Sequence, residues 1–234
     1  MLRRRRRESG DQPGAYAESL EAGHQPGGRM AGPWDIADDF PEGMRIDCGS
    51  LLVPLREGFD VQIEEQGAWV AVVHGESGMQ LQAFAAPRTG GLWDEVRHEM
   101  AVSIADSGGS CQEGAGPAGP ELEARVPVGE DDGGIGLLNQ LQPVRFLGFD
   151  GPRWFLRGVI TGPAANDAAT GAPFGDLFTD VVVVRGDYPA PPRDQLEIRL
   201  PEEARQALEE LDDEDPGWQL QDPFTRGPEI TETR

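Results

Sequence analysis

The stretch GFDVQIEEQGAWVAVVHGESGMQLQAFAAPRTGGLWDEVRHEMAVSIAD, residues 58–106, decides the fold. Phe59, Val61 and Ile63 alternate with Asp60, Gln62 and Glu64, the period of a half-buried strand. Gly67 turns the chain. Trp69-Val70-Ala71-Val72-Val73 is apolar enough for a central strand. After a second turn at Gly75–Gly78, Met79, Leu81, Ala83 and Ala85 alternate with Gln80, Gln82 and Phe84. Pro87-Arg88-Thr89-Gly90-Gly91 ends the meander, and the period changes. Leu92, Val96, Met100 and Ile104 fall four apart, one stripe of an amphipathic helix. Asp94 and Glu95 suit the first turn of its dipole, and Gly108-Gly109 ends it.

Upstream, Ile46 and Leu51-Leu52-Val53 are short apolar runs stopped by Pro54. Downstream, Glu121–Val128 is a strand with Leu122, Ala124 and Val126 on one face. Gly129–Gly136 reads as an acidic loop. Val144–Phe149 and Arg153–Thr161 are two strands joined through the turn chemistry of Asp150-Gly151-Pro152. Gly162–Gly171 reads as a flexible loop. Phe174, Leu177, Phe178, Val181 and Val182 then follow helical spacing, with Pro173 at the first helical position. The β-branched run Val181–Val184 carries this helix into a strand or coil. Strands grouped in meanders between two helices imply an α+β fold: an antiparallel sheet of about six strands with two main helices.

The expected organisation has four parts. Residues 1–33 are a disordered basic and polar tail, and 34–188 the α+β domain. Residues 189–215 form an acidic arm, opened by the stiff Pro189–Pro192 segment, with enough apolar spacing to pack on the domain. Residues 216–234 are a second disordered tail.

Acidity runs through the chain: 42 Asp and Glu face 20 basic residues, all of them Arg, for a formal charge of −22. Residues 44–188 hold 21 acids against 9 Arg, a balance of −12. That field repels phosphate, so nucleic-acid binding by the core domain is not expected. It favours cationic partners or metal ions. With no Lys, Schiff-base chemistry is absent. The Arg3–Arg7 run lacks a following apolar region, and no stretch reaches the length of a membrane span. The expectation is a cytoplasmic protein with two free thiols, Cys48 and Cys111. The arginine run reads as a solvated end, or as a tether to anionic lipid or nucleic acid.

Catalytic patterns are missing. There is no P-loop, no dinucleotide-binding glycine fingerprint after a strand and no nucleophile elbow. Gly133-Gly134-Ile135-Gly136 reads as a flexible tip and Glu130-Asp131-Asp132 as a solvated cluster. His24 lies in the tail, His74 ends a strand, and His98 sits opposite the helix's apolar stripe. Nothing in their spacing requires convergence. Asp47 beside Cys48 and Glu113 near Cys111 would raise the thiol pKa, against a nucleophilic role. No catalytic residue, cofactor or metal is expected.

One set is open to two readings: Arg88, Trp93, Arg153, Trp154 and Arg157. Arg153 and Arg157 share a strand face with Phe155, while Trp154 and Leu156 take the other. They form either a small cationic patch beside aromatic area, the residue types of interface hot spots, or ordinary ion pairs and core tryptophans.

Three segments carry a resemblance: Phe84–Val96 with its Pro87-Arg88-Thr89-Gly90-Gly91-Leu92-Trp93 centre, Asp150–Gly158 with Pro152-Arg153-Trp154-Phe155, and Val181–Gly186. They resemble an actinobacterial family of unknown function, DUF3710, over roughly residues 34–205. The resemblance implies a cytoplasmic actinobacterial protein with no assigned activity or catalytic residues. It also implies a gene often placed near a dUTPase. The element order is similar to the PsbP/Mog1-like fold, whose members mostly serve as binding or accessory modules. The leading expectation is therefore a non-enzymatic interaction or accessory module with an unidentified protein partner. The alternatives are a small-ligand or nucleotide-binding protein or enzyme of nucleotide metabolism, and a membrane-surface adaptor.

Overall fold

Val70, Val72, Met79, Leu81, Ala83 and Ala85 are all buried, and all point to one side of a twisted antiparallel sheet. A computed structural model describes residues 31–64, 68–128, 141–202 and 204–206. The arginine run Arg3–Arg7, His24, the turn at Gly67, the Gly129–Gly136 loop and the segment from 207 onward lie outside the described residues.

The strands are β1 (Trp34–Asp35), β2 (Arg45–Asp47), β3 (Leu51–Pro54), β4 (Asp60–Glu64), β5 (Trp69–His74), β6 (Ser77–Ala85), β7 (Ser110–Gly116), β8 (Gly119–Pro127), β9 (Leu141–Gly151), β10 (Trp154–Thr161) and β11 (Val182–Val183). The helices are α1 (Leu92–Asp106) and α2 (Ala168–Asp180), the second preceded by a 3-10 turn at Pro163–Ala165. Seven strands form the main sheet in the order β4-β5-β6-β10-β9-β8-β7, every neighbour antiparallel. Register follows the apolar alternation: Val72 lies opposite Met79, Leu81 opposite Gly158, and Gly158 opposite Leu147. A smaller sheet runs β1-β11-β3-β2, with β1 parallel to β11.

The main sheet separates two cores. On one face Phe174, Leu177 and Phe178 of α2 pack with Val181, Val183, Leu51 and Val53 over β5, β6, β9 and β10. On the other face α1 lays its expected stripe down: Leu92, Trp93 and Val96 meet Phe84 and Phe155, while Met100 and Ile104 meet Leu122 and Ala124.

The arm past β11 closes the domain. Strand β5 pairs with β6 only as far as Leu81, which leaves the end of β6 open. Residues 193–196 fill that vacancy: Leu196 donates its backbone N–H to Ala83, Arg193 donates to Ala85, and Ala85 donates to Asp194. Leu196 and Ile198 are buried, and Ile198 bridges to Gly49 near the small sheet.

Three expectations need correction. The main sheet has seven strands rather than about six, because Ser110–Gly116 forms an edge strand despite its glycines. Gly162–Gly171 is not a loop throughout. The helix starts at Ala168, where the Asp167 carboxylate accepts from the Thr170 N–H at 2.7 Å and its hydroxyl at 2.6 Å. Pro173 consequently lies inside the helix rather than at its first position. Among the described residues no helix is long and apolar enough to cross a membrane.

Candidate functional site

Trp93 and Trp154 are both packed, on opposite faces of the sheet. Each indole covers a glycine of β9, Gly148 under Trp93 and Gly151 under Trp154, where a Cβ would collide with the ring. Trp93 stacks on Phe155 at 5.7 Å and donates Nε1–H to the Pro120 carbonyl at 2.7 Å. Trp154 has no exposed surface, and its Nε1–H donates to the buried Asp35 carboxylate at 2.6 Å. It is a core residue and leaves the candidate surface. Trp93 is buried as well, with the Arg97 guanidinium 5.6 Å over its ring.

The arginines divide differently. Arg153 is not on the strand face but in the turn between β9 and β10, at φ +62. Its carbonyl accepts from the Ala86 N–H at 2.9 Å and from Arg185 Nε–H at 3.1 Å. That places Arg185 beside it, and the exposed Arg88 follows Ala86 by two residues. Arg157 lies further along β10, about 13 Å from Arg153 by strand rise. Its guanidinium sits 5.2 Å over the Phe84 ring, and Nη2 donates to Gln82 Oε1. Its Nε is buried with no acceptor, and burial pulls the guanidinium below the usual arginine range. The hollow beside it, about 90 Å³, is lined by Phe84, Leu92, Val96, Phe155, Arg157 and Arg193. Arg88, Arg153 and Arg157 therefore do not meet in one pocket.

Among the described residues, ion pairs hold Arg45, Arg56, Arg97, Arg145, Arg193, Arg199 and Arg205. Arg88, Arg125, Arg153, Arg157 and Arg185 have no carboxylate partner there. Arg193, at φ +77, clasps α1 from the arm, with Glu99 at 2.8 Å and Glu95 at 3.1 Å.

A second feature is a groove of about 540 Å³ between β7, β8 and β9 and the start of α2. Arg145 and Glu121 form its floor as a bidentate pair. Nε donates to Oε1 and Nη2 to Oε2, both at 2.8 Å, and the Glu121 side chain is 3% exposed. Gly114 and Gly116 leave room for that carboxylate, and Gly171 for the guanidinium. Arg125 reaches Asn166 Oδ1 at 3.4 Å across the groove.

The nucleophile and metal candidates stay dispersed. His74 stacks on Phe59 at 4.6 Å and holds the Gly58 carbonyl at 2.6 Å through Nδ1, which must therefore carry the proton. His98 is exposed on α1. Cys48 is fully buried, and its thiol is pushed up to about 12 by burial and then by Asp47. Among the described residues no group of three His, Cys, Asp or Glu could hold a metal ion.

The family described as a protein of unknown function, DUF3710, matches residues 32–207. The chain belongs to this family. No curated protein and no solved structure matches it. The DUF3710 match takes in the arm that pairs with β6 and clasps α1, so the family unit extends past the last strand of the small sheet.

Two features of this DUF3710 chain escaped sequence reasoning. Arg185 joins Arg153 only through a backbone carbonyl, which leaves no pattern in sequence. The Arg145–Glu121 pair had a faint signal, the Gly114-Ala115-Gly116 spacing opposite Glu121 on the paired strand.

Proposed function

We propose that this domain is a non-enzymatic interaction module, cytoplasmic, that docks a protein partner on the surface around Arg88, Arg153 and Arg157. The observation that carries the reading is the pairing pattern. Acids outnumber arginines 42 to 20, so an arginine without an acidic neighbour is not a matter of supply. Among the described residues, four of the five arginines without a carboxylate partner lie along the β9–β10 turn, its flanking segments and the neighbouring strand face. Arg153 holds a left-handed backbone that glycine would adopt without strain, and such strain clusters at binding sites. The acidity of the domain supports a protein partner over nucleic acid. The element order, which resembles that of PsbP/Mog1-like accessory proteins, agrees with this reading by analogy of order alone.

Cross-linked capture from the native host tests it, comparing wild type with the Arg88→Ala/Arg153→Ala variant. A partner held by wild type and lost by the variant is expected. Equal capture by both, or none above background, overturns the reading.

The polar groove favours a second reading, a small-ligand site, since its 540 Å³ lies within the usual size of such sites. A thermal-shift panel of nucleotides with and without divalent metals tests it. A ligand at 100 times its dissociation constant adds about 2.7 kcal/mol. No shift with any compound sinks this reading.

A further inference from the structure

Arg157 is an expensive residue to keep where it is. Its Nε is buried without an acceptor, and no carboxylate reaches it among the described residues. A buried charged donor left unmet destabilises a fold, and a hydrophobe of similar volume is usually tolerated at such a site. The neighbouring Arg193 shows the contrast, held by both Glu95 and Glu99. The Phe84 ring and Gln82 Oε1 meet this guanidinium only in part, and polar groups left partly unmet are expected at functional sites.

The hollow that Arg157 borders has apolar walls from Phe84, Leu92, Val96 and Phe155. Its 90 Å³ lies far below the size of pockets that enclose a small molecule, about 300–1,000 Å³, so it has room for a head group and not for a whole ligand. The rest of any ligand must lie outside on the surface, as a polypeptide would. The guanidinium that borders the hollow has no carboxylate partner among the described residues, and it matches a planar carboxylate by charge. Glu95 and Glu99 on α1 stand beside the hollow's other guanidinium and oppose a second negative charge, which disfavours a phosphate dianion.

We propose that the Arg157 hollow anchors a single carboxylate carried by a partner polypeptide, with an aliphatic group beside it packed on Leu92 and Val96. This rests on the interaction-module reading and names the chemistry of its partner.

The test uses the full chain, isotope-labelled at nitrogen, and three probes: the peptide acetyl-Ala-Ala-Val as free acid, the same peptide as its amide, and propionate. The acid is expected to move the Arg157 Nε–H resonance saturably, and the amide to leave it in place. Propionate should bind at least about tenfold more weakly than the peptide acid. Arg157→Met should bind the acid about tenfold more weakly or worse, from loss of a charge-assisted bond, with a melting temperature equal to or above wild type. Equal response to acid and amide, or none to either, overturns the proposal. Propionate binding as tightly as the peptide overturns the polypeptide source. A melting temperature well below wild type in Arg157→Met assigns the residue a structural role and overturns it too. None of these probes involves the native partner, so failure here is separate from failure of the Arg88 and Arg153 capture comparison.

Discussion

The carboxylate of Asp150, at the end of β9, accepts the backbone N–H of Trp93 through both oxygens, at 3.1 and 3.2 Å, and that of Leu92 at 3.1 Å. The side chain that caps α1 thus comes from a neighbouring strand, and Gly91, at φ +83, supplies the bend without a side-chain cap of its own. Asp150→Ala leaves these donors orphaned at a partly buried helix end. The expected cost is about 1–2 kcal/mol, read as a lowered denaturation midpoint. A change below a few tenths would show that water replaces the carboxylate.

Asp150 also gives a pH signature. Burial raises its pKa above the ordinary 3.8, outweighing the three backbone donors that lower it, and nearby Asp94 adds to the rise. The native state therefore holds a proton more tightly at this carboxyl than the unfolded chain does. Stability from this site falls as pH rises from the ordinary carboxylate value through the raised native one, and is level above both. Asp150→Asn lacks this titration. The stability of wild type relative to Asp150→Asn should therefore decline as pH rises from about 4 through the raised native value. A relative stability that grows with pH would mean that the backbone donors dominate.

The two helices and the meanders were legible because their patterns are local. Alternation over Phe59–Glu64 and Met79–Ala85, and the four-residue spacing from Leu92 to Ile104, need no tertiary knowledge. The division of Trp154 from Phe155 and Arg157 by strand face also held. What was hidden depends on the residue across the way. Strand β7 shows no apolar alternation because Gly114 and Gly116 lack side chains, and a Cβ at either would crowd Glu121 of β8. The start of α2 was masked by Ala168–Ala172, which has no apolar stripe but has Asp167 as its cap. Alternation also misplaced Arg153, since strand parity does not extend into a turn. Which arginines go unpaired is decided wholly by tertiary placement.

Arg153 occupies a backbone region that costs an L-residue roughly 1–2 kcal/mol. Arg153→Gly relieves that strain, offset by the greater freedom of glycine in the unfolded chain. A net gain of about 0.5–1 kcal/mol is expected, with partner capture reduced. A stabilised variant that captures as well as wild type would leave the strain without a functional reason.

Trp93 lies flat on Gly148, so Gly148→Ala forces the indole off its bed. Overpacking of this kind costs about 1–3 kcal/mol. The displaced indole would also weaken its bond to the Pro120 carbonyl, and the tryptophan fluorescence maximum should shift to longer wavelength. An unchanged spectrum and midpoint would show that α1 moves away as a unit.

Cys48 and Cys111 should separate by reactivity. With its thiol pushed up to about 12 and no exposed surface, Cys48 holds almost no thiolate near neutrality. Cys111 is half-buried on the edge strand. A thiol reagent at about pH 8 should label Cys111 in the native protein, and Cys48 only at the rate of unfolding. Equal labelling rates would mean that the arm, which binds the Cys48 carbonyl through Arg199 N–H at 2.9 Å, opens readily.

The Arg145–Glu121 pair tests whether the groove floor is a single unit. Glu121→Ala strands a guanidinium of which only 15% of the side chain is exposed, and breaking a buried pair costs about 3–5 kcal/mol. Since water reaches part of Arg145 from the groove, the lower end of that range is expected. The double variant Glu121→Leu/Arg145→Met removes both charges and fills part of the space, so it should recover most of the loss. A double-mutant cycle then gives a coupling well above 0.5 kcal/mol. Additive losses would mean that each partner is held by its own surroundings, and that the glycines at 114, 116 and 171 accommodate two neighbours rather than one pair.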